Sequence, residues 1–476
     1  MRKNKKQMSL FDTYNSVCQS KEENKSEFLS LLEKHINFKD MIPAEFIWAF
    51  YRRFGRSRKY TLEGFMKFCV LQKTLGIEKD STLITILKMS SELRGFCGFD
   101  EVDDVPDGSK ITRFKQNFVA YIEKVFENMV ELTEPICREL DAKKADYLIY
   151  DSTGIEAYVT ENNPKFLNAK LNQAKRYAKN NPDINPHSLA YSQMPETAAA
   201  NPFVNQQYIN GHFCYAHKAG ILANGLGIIR GISFFDEDFK RRHPEVVSKR
   251  TDNPEIDKEI ADSVSLKPVL SDFIETHPTF SYKTFLGDSA FDSYDNFNML
   301  RDEFLFDRVA IPLNKRNSSN AHSDFDNNGT PVCPIDKTPF NFIGFSGGKN
   351  RSDRFKWVCH KSKHKGSSRV NTCDTPCTDS SYGRCVHTYP DKDFRFYPGI
   401  PRGTEHWDNL YRHRVLIERT IYLLKDPLGA ASRKSFSTRT AKTDLLFAGI
   451  TQLIGVILAQ AINKPHLFKS IRKLVA

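Results

Sequence analysis

Two short apolar runs in this chain end the same way. "ADYLIYDST" leads to Asp151 and "YKTFLGDSAF" leads to Asp288, each acid followed by Ser. Apolar runs of this length bounded by polar residues predict buried strands. Strand ends are where α/β sheets present functional groups. Between them, "HFCYAHKAGILANGLGIIRGISFFD" sets two apolar runs around Asn224–Gly225, a turn dipeptide that predicts a hairpin. Helices are predicted over "DSVSLKPVLSDFIE" and around residues 294–301, and a further strand over "DRVAIPL". Strands alternating with helices make the middle of the chain an α/β unit.

The flanks read as helical. Residues 1–25 are polar and charged and are expected to form a disordered basic tail. From residue 26 to about 140 the pattern is helical throughout. Ile111, Phe114, Phe118, Ile122, Val125, Met129 and Leu132 recur at steps of three and four, which predicts one long amphipathic helix with Asp107 or Ser109 as its N-cap. Residues 445–462 are as apolar as a membrane span, but Thr451, Gln452 and Gln460 interrupt them, so a buried core helix and no membrane are expected. The 476 residues hold 69 Lys plus Arg against 58 Asp plus Glu, a formal charge of +11, which points to a polyanionic partner. No apolar run follows the basic N-terminus, so a cytoplasmic protein is expected, with its ten cysteines as thiols or metal ligands.

Two stretches lack periodicity. Residues 161–210 are polar, Asn-rich and interrupted by prolines, and are predicted to be a long excursion or loop. Residues 315–402 are rich in Gly, Ser and Lys and hold Cys333, Cys359, Cys373, Cys377 and Cys385. Structural zinc takes four ligands, and Cys333, Cys359, Cys373 and Cys377 are the candidate set; the alternative is a loop with free thiols. Cys69, Cys97, Cys137 and Cys214 sit in apolar runs and are expected in the core. His217 is expected to be packed or exposed rather than catalytic. The basic run "FKRRHPEVVSKR", residues 239–250, either touches DNA or is a solvated loop.

The most specific signal is "YRHRVLIERTIYLLKD". At about 100° per residue, Tyr411, Arg414, Glu418 and Lys425 fall within an arc of roughly 60° on one helix face. A surface ion pair between Arg414 and Glu418 is the bland reading, and helix capping is the bland reading of Asp151 and Asp288. The functional reading groups Asp151, Asp288 and Glu418. Three such carboxylates repel one another unless divalent cations are present. Their hard oxygens suit two Mg²⁺ or Mn²⁺ ions, which can activate a water or a 3′-hydroxyl and stabilise the leaving oxygen of a phosphodiester.

All four stripe positions agree with Tyr-x2-Arg-x3-Glu-x6-Lys. On that motif, with Asp151 in "YLIYDST" and Asp288 in "FLGDSAFDS", the chain resembles bacterial insertion-sequence transposases of the DDE group. The hairpin strands resemble that family's second and third strands, and "YTLEGFMKFCVLQKTLGI" with "PDGSKITRF" resembles its N-terminal helical domain. The resemblance implies a ribonuclease H-like catalytic core (residues 141–314 and 403–476) split by a Cys-rich insertion (315–402) and preceded by an all-helical DNA-binding domain (26–140). It implies Asp151, Asp288 and Glu418 as catalytic metal ligands, with Tyr411, Arg414 and Lys425 on DNA. It also implies cut-and-paste transposition: binding of terminal inverted repeats, cleavage, and joining to target DNA. A homodimer in a synaptic complex and a nucleoid-associated, cytoplasmic location follow from the same family. Two alternatives stay open: a catalytically silent DNA-binding descendant, and a metal-dependent nuclease without strand transfer.

Overall fold

The computed structural model describes residues 26–52, 56–209, 212–247, 260–314, 324–348, 351–431, 436–469 and 471. The expected tail, 1–25, lies outside the described residues, as do 248–250 of the basic run.

The chain builds a mixed α/β structure around one mixed sheet. Its strands are β1 (Tyr147–Glu156), β2 (Thr197–Ala198), β3 (Asn201–Ile209), β4 (His212–Asn224), β5 (Ile229–Phe234), β6 (Thr284–Leu286) and β7 (Arg308–Ala310). Their order is β2-β3-β4-β1-β6-β7, with β5 also on β4. β1 runs antiparallel to β4 and parallel to β6, and β6 runs parallel to β7. The predicted hairpin is β4–β5. The Asn224 side-chain oxygen accepts the N–H groups of Leu226 (3.0 Å) and Ile228 (3.1 Å). Gly225 donates its N–H to the Lys144 carbonyl, and a Cβ there would lie 2.6 Å from that same oxygen and from the Tyr147 ring. Only glycine permits that approach.

Side chains alternate across β1, as a strand requires. Leu148 and Tyr150 pack with Leu222, Phe285 and Val309 against the helices Asp262–Thr276 and Tyr294–Asp302. Tyr147 and Ile149 face the other way, into a core shared by the N-terminal helices, the helix Val415–Lys425 and the helix Thr438–Ala461. That last helix is long and apolar enough to cross a membrane, but 83% of its apolar window is buried within the chain, as expected of a core helix. It also carries the buried Asp444, which pairs with Lys73 (3.1 Å) and Lys115 (2.9 Å); Lys115 pairs in turn with Asp80 (2.8 Å).

Several expectations are corrected. β1 does not end at Asp151. Its parallel pairing to β6 stops at Ile149, but its antiparallel pairing to β4 continues to Glu156 opposite Ala216. Asp151 therefore sits where β6 has turned away. The predicted long helix is two, Gly108–Asn117 and Val119–Leu140, broken at Phe118. Asp107 is the N-cap, accepting the Lys110 N–H at 3.1 Å. In the second helix Ile122, Val125, Phe126, Met129 and Val130 are buried, while Leu132 is 53% exposed and off the buried stripe.

Residues 161–210 are not a loop. They hold helices Pro164–Lys179 and Pro186–Ser192, then β2 and β3. Asn163 and Asn185 are N-caps followed by proline in the first turn, so the Asn-Pro steps start helices here. The first helix fully buries only Ala174, which leaves no apolar stripe to read.

Beyond β7 comes a second, smaller sheet of β8 (Asn341–Gly348), β9 (Arg351–Val358) and β12 (Cys385–Thr388) in the order β12-β9-β8. A hairpin, β10 (Ser362–Lys365) and β11 (Ser368–Asn371), lies beside it. The chain returns to the main sheet through Arg395, which grips the buried Asp292 with two bonds (2.8 and 2.7 Å), and through Arg402, which donates to the Ile311 carbonyl.

Candidate active site

The segment carrying the stripe is not one straight helix. A helix Glu405–Tyr411 passes through a 3₁₀ turn, Arg412–Arg414, into the helix Val415–Lys425. The Thr404 hydroxyl caps the first helix by accepting the Trp407 N–H, and Trp407 stacks on Tyr411 with ring centres 6.1 Å apart. The second helix packs on β1 and β4 through Ile417 and Leu424. The Thr420 hydroxyl donates to the Gly227 carbonyl in the β4–β5 turn, at 3.0 Å. These contacts hold Arg414 and Glu418 over the stretch of β1 that β6 leaves uncovered.

Three acids meet there around one guanidinium. Arg414 Nη2 lies 3.1 Å from Asp151 Oδ2 and 3.6 Å from Asp288 Oδ2, and Arg414 Nη1 donates to Glu418 Oε1. The pair read from the sequence as a surface contact is therefore one side of a four-residue cluster. Arg414 is 18% exposed, Asp151 21%, Asp288 37% and Glu418 51%. Burial pushes the Asp151 carboxyl up to about 6; Arg414 opposes that rise, and Asp288 adds to it. Asp288 also caps the 3₁₀ turn Ser289–Phe291, accepting the Ala290 N–H at 2.7 Å, so its capping and clustering roles coexist.

A fourth acid was not legible beforehand. Asp262 accepts the Ser152 hydroxyl at 2.5 Å and pairs with Lys218 at 2.7 Å, next to Asp151. In the sequence it reads as the first-turn acid of a helix, which it also is.

The other stripe residues sit differently. Lys425 donates to the Gly154 carbonyl (2.8 Å) and to the Thr153 hydroxyl (3.2 Å), so its ammonium rests on the second half of β1 rather than among the acids. Burial lowers its pKa. Tyr411 is half-buried, and burial raises its phenol, with Arg414 acting in the opposite sense.

Among the described residues, no group of three or more His, Cys, Asp or Glu already stands as a ready metal cluster. At the acids, the guanidinium lies between the carboxylates. In the small sheet, Cys333 and Cys359 share an aromatic core with Phe340, Phe355 and Trp357, and Cys377 packs against it. The Cys359 thiol is raised by burial first; Lys361 N–H opposes this, and Cys333, Cys377 and Cys373 raise it further. Thr372 donates its N–H and its hydroxyl to the Lys361 carbonyl, which brings Cys373 beside the turn after Cys359. Cys385 lies on β12 opposite Val358, and its charged neighbours are Lys356 and Arg354.

Cys69, Cys97, Cys137 and Cys214 are buried as expected. His217 is packed, with its pKa pushed down to about 4 by burial. In the basic run, Lys240, Arg241 and Arg242 pair with Glu237, Asp238 and Asp272. Among the N-terminal helices, Arg58, Lys59, Lys110 and Arg113 line an aromatic-walled cavity of about 300 Å³.

Comparison with curated proteins gives no match. Among solved structures, the chain is similar to the piggyBac transposase synaptic complex with hairpin DNA, seen by cryo-EM. The identity is 12% and the TM-score 0.38, over 95% of this chain and 80% of that one. Residues 17–117 match the family described as "Transposase domain (DUF772)", a match that stops before the helix Val119–Leu140 and before the first of the clustered acids.

Proposed function

We propose that the protein is a DNA transposase of the DDE type, working by cut-and-paste. One observation carries the reading: Asp151, Asp288 and Glu418 come from three distant segments and converge on a single guanidinium. The transposase-domain match of residues 17–117 supports it independently. So does the strand order β5-β4-β1-β6-β7, with its antiparallel first half and parallel second half, which is the order a ribonuclease H-like core requires.

The donor set fits two Mg²⁺ or Mn²⁺ ions: hard carboxylate oxygens that already gather around a positive charge. Bound there, the ions would supply an activated water or 3′-hydroxyl and stabilise the leaving oxygen. The protein's own part is to hold DNA in place. Arg414 and Tyr411 stand beside the acids, where phosphates flanking the scissile bond would lie. Lys425 would steady the second half of β1 and reach phosphate only by giving up its bonds to that strand. The cations around the N-terminal cavity would bind the element ends, and the +11 charge of the chain favours such a partner. In this reading the protein works as a homodimer in a synaptic complex on the nucleoid.

The test is excision. Purified protein is incubated with Mg²⁺ and a plasmid carrying the DNA that flanks its gene on both sides. Excision at both ends followed by joining to a second plasmid is the expected result. Cutting without joining would favour the nuclease alternative, and binding without cutting would favour the silent descendant.

The same proposal assigns one structural Zn²⁺ to Cys333, Cys359, Cys373 and Cys377, which would close on the ion from the segment before β8, the turn after β9 and the segment after β11. Elemental analysis of purified protein should find about one zinc per chain, lost after Cys359→Ser. A content below about a tenth of an equivalent, without prior exposure to chelator, would sink the assignment.

A further inference from the structure

We infer that Arg414 is an exchangeable counter-charge that couples cation binding to DNA binding. In the cation-free protein its single positive charge offsets part of the charge of the three carboxylates. When divalent cations enter, it is displaced and becomes the grip on phosphate. This rests on the acid-site reading above and adds a thermodynamic link to it.

The geometry supplies the argument. A single side chain touches all three acids, and the oxygens it holds, Asp151 Oδ2, Asp288 Oδ2 and Glu418 Oε1, are those a cation would need. A divalent ion binds carboxylate oxygen at about 2.0–2.6 Å, closer than the guanidinium stands to Asp151 (3.1 Å) or Asp288 (3.6 Å), so the two compete for the same space and the same lone pairs. Once displaced, the guanidinium would lie beside a like charge, which repels it unless an anion arrives. A phosphate provides that anion and accepts a bidentate contact that only Arg can make. The Arg414 Nε is already buried without a hydrogen-bond partner among the described residues, so part of the donor fork is unused in the cation-free arrangement. The neighbours cannot serve in its place. The Lys425 ammonium is bonded to β1, and Tyr411 carries no positive charge.

Such a link is reciprocal: if cations strengthen DNA binding by some factor, DNA strengthens cation binding by the same factor. The competing view is that Arg414 is a fixed brace. A brace would stabilise the acid cluster without changing the relation between the two ligands.

The experiment uses the full chain, Ca²⁺ as the probe cation, and a short DNA duplex of arbitrary sequence. Calorimetry without DNA should show Arg414→Gln binding Ca²⁺ about tenfold more tightly than the unaltered protein, within the usual 5–150-fold range of site coupling. The duplex should bind the unaltered protein more tightly when Ca²⁺ is present, and Arg414→Gln should lose that gain. Arg414→Lys keeps the charge but not the fork, so it should show a smaller rise in Ca²⁺ affinity and a partial gain. Circular dichroism confirms that each variant is folded, and if Arg414→Gln is not, Arg414→Lys alone decides. Ca²⁺ affinity unchanged in the folded variants would overturn the exchange. Adding Asp151→Asn to each Arg414 variant separates the two readings. If Ca²⁺ binding survives the loss of Asp151, the acid-site assignment fails and not merely the exchange.

Discussion

Asp151→Asn, Asp288→Asn and Glu418→Gln are each expected to abolish DNA cleavage while leaving DNA binding in place. Each change removes one charge at nearly constant shape. Asp151 already carries a burial penalty on its charged form, so Asn there should cost little stability beyond the lost contact to Arg414. The effect on rate should be large, because both metal positions depend on these oxygens. A loss of about a thousandfold in single-turnover rate is expected, which is about 4 kcal/mol of barrier. Glu418 is the most discriminating position. It is half-exposed and lies four residues after Arg414, so as a mere helical ion pair it would be worth only a few tenths of a kcal/mol. The measurement is single-turnover cleavage of pre-bound DNA in Mn²⁺, with affinity from fluorescence anisotropy alongside. Near-normal cleavage by any one variant would remove that residue from the site.

The second large effect concerns the fold. Asp444→Ala should destabilise the protein by about 3–5 kcal/mol, the usual result of removing one partner from a buried ion pair. Lys73 and Lys115 have fully buried side chains, and both point at the Asp444 carboxylate. Asp80 still answers Lys115 at 2.8 Å, and Lys73 also donates to the Gly429 carbonyl at 3.4 Å. Replacing the charges by apolar groups, as in Lys73→Met with Asp444→Leu, should recover part of the stability, because the Lys73 ammonium is then gone and Lys115 keeps Asp80. Denaturant unfolding of the three proteins tests this. A loss below about 1 kcal/mol in Asp444→Ala would show that the cluster does not hold the N-terminal helices to the C-terminal one, as surface-like pairs do not.

Some of this protein could be read along the chain because the physics involved is local. A turn dipeptide placed the β4–β5 hairpin at Asn224. The carboxylate of Asp107 capped its helix within a single turn. The apolar run of residues 445–462 forms a buried helix, and of its polar interruptions Gln452 bonds to the β4–β5 turn and Gln460 to Glu139. The spacing of Tyr411, Arg414, Glu418 and Lys425 was likewise visible, and Arg414 and Glu418, four apart, do meet on one face.

The grouping of Asp151 and Asp288 with Glu418 was expected from the functional reading and the family resemblance, but the position of Arg414 among all three was not. Arg414 reaches an acid 263 residues earlier in the chain, and that contact depends on β6 turning away from β1 after Ile149, on the Arg412–Arg414 turn that re-aims the segment, and on Thr420 fastening the helix to the β4–β5 turn. The same packing laid the Lys425 ammonium on β1 and drew Asp262 up beside Asp151. Periodicity and caps are set by neighbours within a turn or two. Which carboxylates share one guanidinium is set by strands and helices that meet only when the core closes, and no local pattern encodes that closure.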